Sequence, residues 1–335
     1  MKPILQTAIW AQFQRSLGKT VHEAQGPGWS FVALEEKTPL GKYIYAPYGP
    51  CADGEAALAK ALSALYAVAK SVHAQYVRVE PVAAGLGADY DAVLRARGLV
   101  RAPTDIQPHL SWKIDLRQDE ADILKAMRST SRNLFRNIHK KGVSFEISTD
   151  PAQLPILLGF LGKVSGRADF TAQTDTYLTK AAEVLMPAGA AKLFIARLED
   201  GTPIAAALSY DTADTRVYAH AAADDTYRKL NAGVPLLVSM VLDAKASSMT
   251  EFDMWGVSPE DEPDHAWAGF SRFKRSFGGA EVAYPGTWDR PVNRFMYTVY
   301  LSSRKTRSLV GTVLKSARSL TGRIRKQRGK NSSPN

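Results

Sequence analysis

Cysteine is almost missing from this chain: Cys51 is the single one in 335 residues. That excludes an internal disulfide framework and fits a reducing compartment, so the expected location is the cytoplasm. No apolar run approaches the length of a membrane crossing, and Met1 to Gln14 lacks the charged head and apolar core of a signal peptide. Neither export nor insertion is expected. The P-loop, HExxH and GxSxG signatures are missing, and Gly85 and Gly87 lack the third glycine of a GxGxxG turn. The six histidines are scattered, without neighbouring Cys, Asp or Glu at ligand spacing, so neither a metal nor a cofactor is expected. Acid is missing from the end of the chain. Asp289 is the last acidic residue, and the 46 positions after it hold 12 Lys and Arg. The net charge of +10 therefore belongs to the tail, and everything before it sums to about −2.

What is present is enough apolar material, 45% of residues, for two ordinary cores. In the tail Val310, Val313, Leu314, Ala317, Leu320 and Ile324 recur at helical spacing, with Lys315, Arg318, Arg323 and Arg325 mostly on other faces. Such a helix suits an anionic membrane surface or RNA phosphates, and equally a solubilising tail that frays after Gly322. Phe31 to Gly41 echoes Phe194 to Ala205: each reads as a strand, a polar turn and a second strand. Each is followed by a long apolar-periodic helix, Gly54 to Val72 or Ala232 to Ser247, and then by a strand, Tyr76 to Glu80 or Glu251 to Trp255. Two copies of one mixed α/β unit account for the echo, with a ligand cleft between them. The boundary is expected near Asp150-Pro151, with residues 1–148 and 285–300 in the first unit, 149–284 in the second, and 301–335 as a basic helix and tail.

A helix is expected from Glu120 to Lys141. Within it Arg128, Arg132, Arg136 and Lys140 recur every four residues, with Lys141 beside them. Like charges on one face repel, so the face is either solvated or matched to an anion such as phosphate. Further on, Gly269 to Gly279 sets Lys274 among Phe270, Phe273 and Phe277 just before a glycine turn. A cation walled by aromatics stabilises a developing oxyanion better than one in open water. The plain alternative is a solvated lysine on an amphipathic helix.

Trp10-Ala11-Gln12-Phe13, Tyr45 to Pro50, Val79-Glu80-Pro81, Arg128 to Gly142, Tyr218 to Tyr227, Phe252 to Gly256, and above all Phe273-Lys274 with Phe277-Gly278-Gly279 resemble landmarks of the Fem peptidyltransferases (FemABX), in the right order from about residue 5 to 292. The resemblance implies an α/β fold of two tandem GNAT-like domains. It also implies an aminoacyltransferase that moves an amino acid from aminoacyl-tRNA to an amine of a peptidoglycan precursor, building the interpeptide bridge. It assigns Lys274 to the transition state, Phe273 to the acceptor and tRNA end, Tyr177 to the nucleotide-sugar part of the acceptor, and Tyr218 to substrate binding. Glu80 stands where the family can carry an aspartate. Gln14, Gln173 and His220 replace a lysine, an arginine and a tyrosine of a characterised branch. Losing that lysine and arginine favours a lipid-linked acceptor over a soluble UDP-linked one, with the basic tail steering the protein to the inner face of the membrane.

The implied reaction is ester aminolysis. A lysine-like amine, with a pKa of about 10.4, is neutral in only about one molecule in a few thousand at pH 7. Glu80 is the candidate to orient it or take its proton, and Lys274 compensates the oxyanion. The rivals are an acyl-CoA-dependent N-acyltransferase and a non-catalytic RNA- or membrane-binding module. For the former, the nearest pyrophosphate loop, Arg228 to Gly233, has Asn231 where a glycine is wanted.

Overall fold

The computed structural model describes residues 2–39, 41–83, 90–165 and 173–304. Helix α1 (Ala8–Ser16) opens on Thr7, whose hydroxyl accepts the Trp10 N–H at 3.3 Å. Strands β1 (Val21–Gly26), β2 (Trp29–Thr38) and β3 (Gly41–Ala46) then form an antiparallel meander. After the short strand β4 (Cys51–Ala52), helix α2 (Glu55–Ser71) crosses over and delivers β5 (Tyr76–Val79) parallel to β3. Leu58, Leu62, Leu65 and Ala69 of α2, spaced by three or four residues, are buried with Phe31, Ile44 and Val77 of the sheet. Strands β6 (Val82–Ala83) and β7 (Val100–Arg101), with helix α3 (Tyr90–Ala96) between them, complete this stretch.

A second sheet begins at β8 (Leu110–Asp115). It is followed by α4 (Glu120–Ala126), α5 (Ser129–Asn137), β9 (Val143–Ser148), α6 (Pro155–Ser165) and α7 (Asp175–Leu185). Then come β10 (Ala191–Leu198), β11 (Pro203–Asp211), β12 (Thr215–Ala223), α8 (Gly233–Ala246), β13 (Glu251–Gly256), α9 (Ala268–Arg275) and β14 (Ala280–Ala283). The strand order is β14-β8-β13-β12-β11-β10-β9. Strand β15 (Trp288–Pro291) returns to the first sheet between β5 and β7, and a helix over 294–304 buries Tyr297 and Tyr300 against Tyr76. Both sheets thus belong to the mixed α/β architecture expected for tandem GNAT-like units, and the return after Pro285 is as expected.

The boundary differs from the expectation. β8 pairs with β13 and β14, and β9 pairs with β10, so 110–148 belongs to the second unit rather than the first. The alternation of apolar residues in Leu110 to Leu116 suits either sheet, and only pairing chooses between them. The echo is also displaced by one strand. Counting back from each parallel crossover, β2-β3-α2-β5 corresponds to β11-β12-α8-β13, whereas the similar residues lie in β2-β3 and β10-β11.

The expected helix from Glu120 to Lys141 is broken. Met127 is buried in extended conformation, Arg128 caps α5 with non-helical angles, and Ile138–Lys141 is a 3-10 turn. The Ser129-Thr130-Ser131 run favours a helix start over a helix interior. Arg132 donates to the carbonyls of Lys125 and Met127, and Lys140 donates to Asn137 Oδ1 at 2.9 Å. The four cations therefore do not form one stripe. Arg128, Arg136 and Lys141 are exposed, whereas Arg132 is used in closing α4. The break is where α9 docks: the Arg128 N–H donates to Ser276 O at 2.9 Å, and Gly278 lies so near Ala126 that a Cβ would meet it at 2.8 Å.

Gly279, at φ 93°, comes still closer to its neighbour, since a Cβ there would lie 2.3 Å from the Lys113 carbonyl oxygen. Gly279→Ala is expected to cost about 1–3 kcal/mol of folding stability. Chemical denaturation checks this, and an unmoved midpoint would contradict the close approach.

The two units share a core. Ile4, Leu5, Trp10, Phe13 and Tyr48 from the first are buried in one cluster with Leu178, Leu185, Leu208 and Tyr210 from the second. Helix α1 packs on α7 at this seam.

Candidate active site

Lys274 projects from α9 and is 3% exposed. Its Nζ donates to Gly256 O at 2.7 Å and lies over the Phe270 ring, 4.3 Å from the centroid. Among the described residues no carboxylate comes within ion-pair distance of it. Burial lowers its pKa to about 7, with the charge of Asp253 acting the other way. The accepting carbonyl belongs to an irregular strand end: the β13–β8 ladder skips between Asp253 and Gly256, and Trp255 sits at φ 63°. The Trp255 N–H is held by Asp253 Oδ1 at 2.7 Å, which keeps the turn in place. The solvated-lysine reading of Lys274 does not describe this geometry.

Phe270 and Phe273, on the same helix as Lys274, line an apolar pocket of about 260 Å³ whose other walls are alanines of β11 and β12, Leu236 and Leu237 of α8, and Tyr218. Phe273 is half-buried and packs edge-on against Phe277 at 5.1 Å. Tyr218 and His220 do not share this pocket. An irregularity in the β11–β12 ladder opposite Leu208 and Ser209 puts His220 beside Leu208 and Tyr218 beside Ser209. Residues two apart on a strand normally share a face, and the extra residue, Ala219, turns one of them over. Tyr218 joins the core under α8, whereas His220 meets Tyr210 Oη at 3.3 Å on the seam between units.

The seam side gathers other expected residues. Gln14, buried on α1, hydrogen-bonds the Tyr177 phenol on α7. Burial pushes that phenol up to about 12, with the Gln14 bond pulling down. Burial also pushes His220 down to about 4, so its ring is uncharged at neutral pH. Gln173 is exposed and lies just before Thr174, the cap of α7, outside the helix.

Glu80 ends β5 and is 3% exposed. Oε1 accepts from Gln107 N–H at 2.8 Å and Thr287 Oγ1 at 2.7 Å, and Oε2 from Tyr45 Oη at 2.8 Å and Tyr48 N–H at 3.1 Å. A carboxylate has about four lone-pair sites, and here protein donors fill them. This departs from the expected proton acceptor: Glu80 ties β3, the irregular segment before β8 and the residue before the returning β15 together. Glu80→Gln should cost about 1–3 kcal/mol, because an amide donor must face groups that themselves donate. Thermal unfolding together with turnover per folded molecule checks this, and a large loss of turnover without loss of stability would return Glu80 to the chemistry.

One cluster escaped the sequence reading. Lys113 Nζ lies 2.7 Å from Glu251 and 3.5 Å from Asp253, over the ring of Tyr284, in a pocket of about 230 Å³ between the units that Tyr48 and Trp255 also line. Burial alone would lower the Lys113 pKa, but the two carboxylates hold it well above the usual ammonium value. Glu251 and Asp253 were visible as an i, i+2 pair on one strand face, but the register that brings Lys113 opposite Asp253 was not. The candidate tRNA-binding cations, Arg128, Arg136, Lys140 and Lys141, lie on the exposed surface of the α5 region, and the basic tail after residue 304 lies outside the described residues.

Lys274 and its pocket fall inside a recognisable segment. Residues 173–305 match the FemAB family. This supports the FemABX resemblance, in the segment that carries Tyr177, His220 and Phe273-Lys274. The crystal structure of FemX superposes with a TM-score of 0.80 at 18% identity, over 89% of this chain and 94% of that one. The C-terminal domain of a putative lysylphosphatidylglycerol synthetase from Agrobacterium fabrum gives 0.55 at 13% identity, over 89% and 92% of the two chains. L-PGS from Bacillus licheniformis gives 0.57 at 13% identity, over 88% and 91%. At these identities the likeness is one of fold. No curated protein matches the chain.

Proposed function

We propose that this protein is an aminoacyltransferase that moves an amino acid from aminoacyl-tRNA to an amine of a lipid-linked peptidoglycan precursor. The FemAB match and the FemX-like fold support interpeptide-bridge aminoacyl transfer in general. The observation that carries the reading is Lys274: a buried amine without a carboxylate partner among the described residues, held at an irregular strand end by a helix whose Phe270 and Phe273 line an apolar pocket. In ester aminolysis the attacking amine generates a tetrahedral oxyanion, and the ribose hydroxyl then leaves. A lysine in a water-poor site stabilises that oxyanion far more than it stabilises the neutral ester. Phe273 and Tyr218 shape the donor pocket, and Glu80 holds the strand end and loops of the first unit.

The preference for a lipid-linked acceptor rests on charge. Gln14, Gln173 and an uncharged His220 offer no cation for pyrophosphate on the Tyr177 side of the seam. Peripheral contact of the basic tail with the inner face of the membrane, and contact of Arg128, Arg136, Lys140 and Lys141 with tRNA, belong to the same proposal. Incubation with labelled aminoacyl-tRNA or labelled acetyl-CoA, each with UDP-linked or lipid-linked precursor, tests it. Transfer from aminoacyl-tRNA to the lipid-linked acceptor is expected. Transfer from acetyl-CoA would make the protein an acyl-CoA-dependent N-acyltransferase, and no transfer in any arm would leave a binding module.

A further inference from the structure

Phe270 stands one helical turn before Lys274 on α9, and its ring is the only aromatic face within cation–π distance of the Lys274 amine among the described residues. The residue is nevertheless 52% exposed, so it is a cover over a buried amine and not itself part of the core. One side of the ring covers Nζ, and the residue also lines the pocket of about 260 Å³. It stacks on Phe273 at 6.3 Å and belongs to the first turn of an eight-residue helix, where little packing holds it. Among the described residues the amine behind it has one hydrogen-bond acceptor, Gly256 O. An ammonium carries three donors and a neutral amine two, so a single carbonyl leaves the charged form short of acceptors; the Phe270 ring attracts that form, but burial outweighs it and favours the uncharged amine.

We propose that Phe270 is a positioning residue for the proposed transfer: a gate that seals Lys274 from the donor pocket until a substrate displaces the ring. With the gate closed, the amine is dry and bonded to Gly256 O. With the gate open, Nζ faces the pocket and can take up the proton that the attacking amine loses as the C–N bond forms, and give it to the ribose oxygen as the C–O bond breaks. The inference rests on the reading of Lys274 given above, but it concerns the gating of that amine and not the identity of the donor.

The charged and titratable groups around Lys274 do not supply this control themselves. Asp253 on β13 favours the charged amine, but it is held by Ser111 and Trp255 and lies near Lys113. Arg275, the next residue on α9, is turned to Ser258 O and Glu281. Tyr218 on β12 lines the same pocket, and burial raises its phenol, so it is neutral throughout the physiological range. Arg128 approaches through its backbone N–H, which is bonded to Ser276 O.

The test is labelling of the full chain by a small acylating reagent, acetic anhydride, across a pH series, with Lys274 read by peptide mass spectrometry. In the wild type, Lys274 should label slowly, with a midpoint near 7. Phe270→Ala should label roughly tenfold faster or more, with the midpoint raised by about one unit or more, because water then solvates the ammonium. Phe270→Leu, which restores an apolar cover, should keep the wild-type midpoint. An unchanged midpoint in Phe270→Ala overturns the gate, whatever the rate. Transfer assays of the same preparations keep the two ideas apart. A wild-type chain that labels as described yet transfers nothing removes the proposed function and leaves the gate standing.

Discussion

Lys274→Met is expected to lower turnover by two or more decades, about 3 kcal/mol of transition-state stabilisation, while the fold survives. Methionine has about the length of the lysine stem and needs no partner, so the loss falls on the amine and not on packing. The wild type keeps Nζ at one carbonyl, with no acid among the described residues to neutralise it, which is costly for stability. Removing such a group should leave stability equal or higher, and this separates a functional amine from a structural one. Steady-state transfer and chemical denaturation of one preparation give both readings. Turnover equal to wild type would remove Lys274 from the mechanism, and a large loss of stability would make its role structural.

The second large effect lies far from the chemistry. Asp289→Ala is expected to cost about 3–5 kcal/mol of folding stability. Asp289 is fully buried on β15, where it accepts from Arg78 Nε and NH2, both at 2.7 Å, and from Tyr297 Oη at 2.8 Å. Arg78 is itself buried among Tyr43, Tyr76 and Tyr300 and keeps its charge, because Asp289 outweighs the burial that would depress it. Truncating the acid leaves that guanidinium unpaired in an aromatic cage. The pair also closes the first unit, joining β5 to a strand 211 residues later. Because that strand follows the whole second unit, the variant should loosen both, with a lower denaturation midpoint and increased proteolysis after residue 284. An unchanged midpoint would show that the returning strand is held by β-pairing alone.

Helix α2 was legible because it buries one face, so its leucines repeat at three and four, and α8 because it is buried on most sides and reads as a long apolar stretch. The strand–turn–strand units were legible from alternation and polar turns. The prominence of Lys274 followed from its aromatic neighbours and the glycine turn. The boundary was not legible, since β8 and β9 look like strands of either unit until their partners are known. The break after Ala126 left one sequence trace, the Ser129-Thr130-Ser131 run that suits a helix start. Nothing in Met127-Arg128 forbids a helix, and the interruption accompanies the docking of Ser276 and Gly278 from a segment 150 residues away. Glu80 looked like a lone acid at a strand end because its four donors come from positions 45, 48, 107 and 287.

By itself the sequence determined the class of unit, its duplication, the missing metal and nucleotide motifs, and the amine on which the chemistry is proposed to turn. These depend on residue type and short spacing, which survive in one dimension. Tertiary structure alone decided that Lys274 is dry, that Phe270 covers it, that Tyr218 and His220 face opposite ways, and that Glu80 is bound on every side. Each of these is a matter of which distant atoms come within a few ångströms, and solvation and charge respond to those atoms whatever their place along the chain.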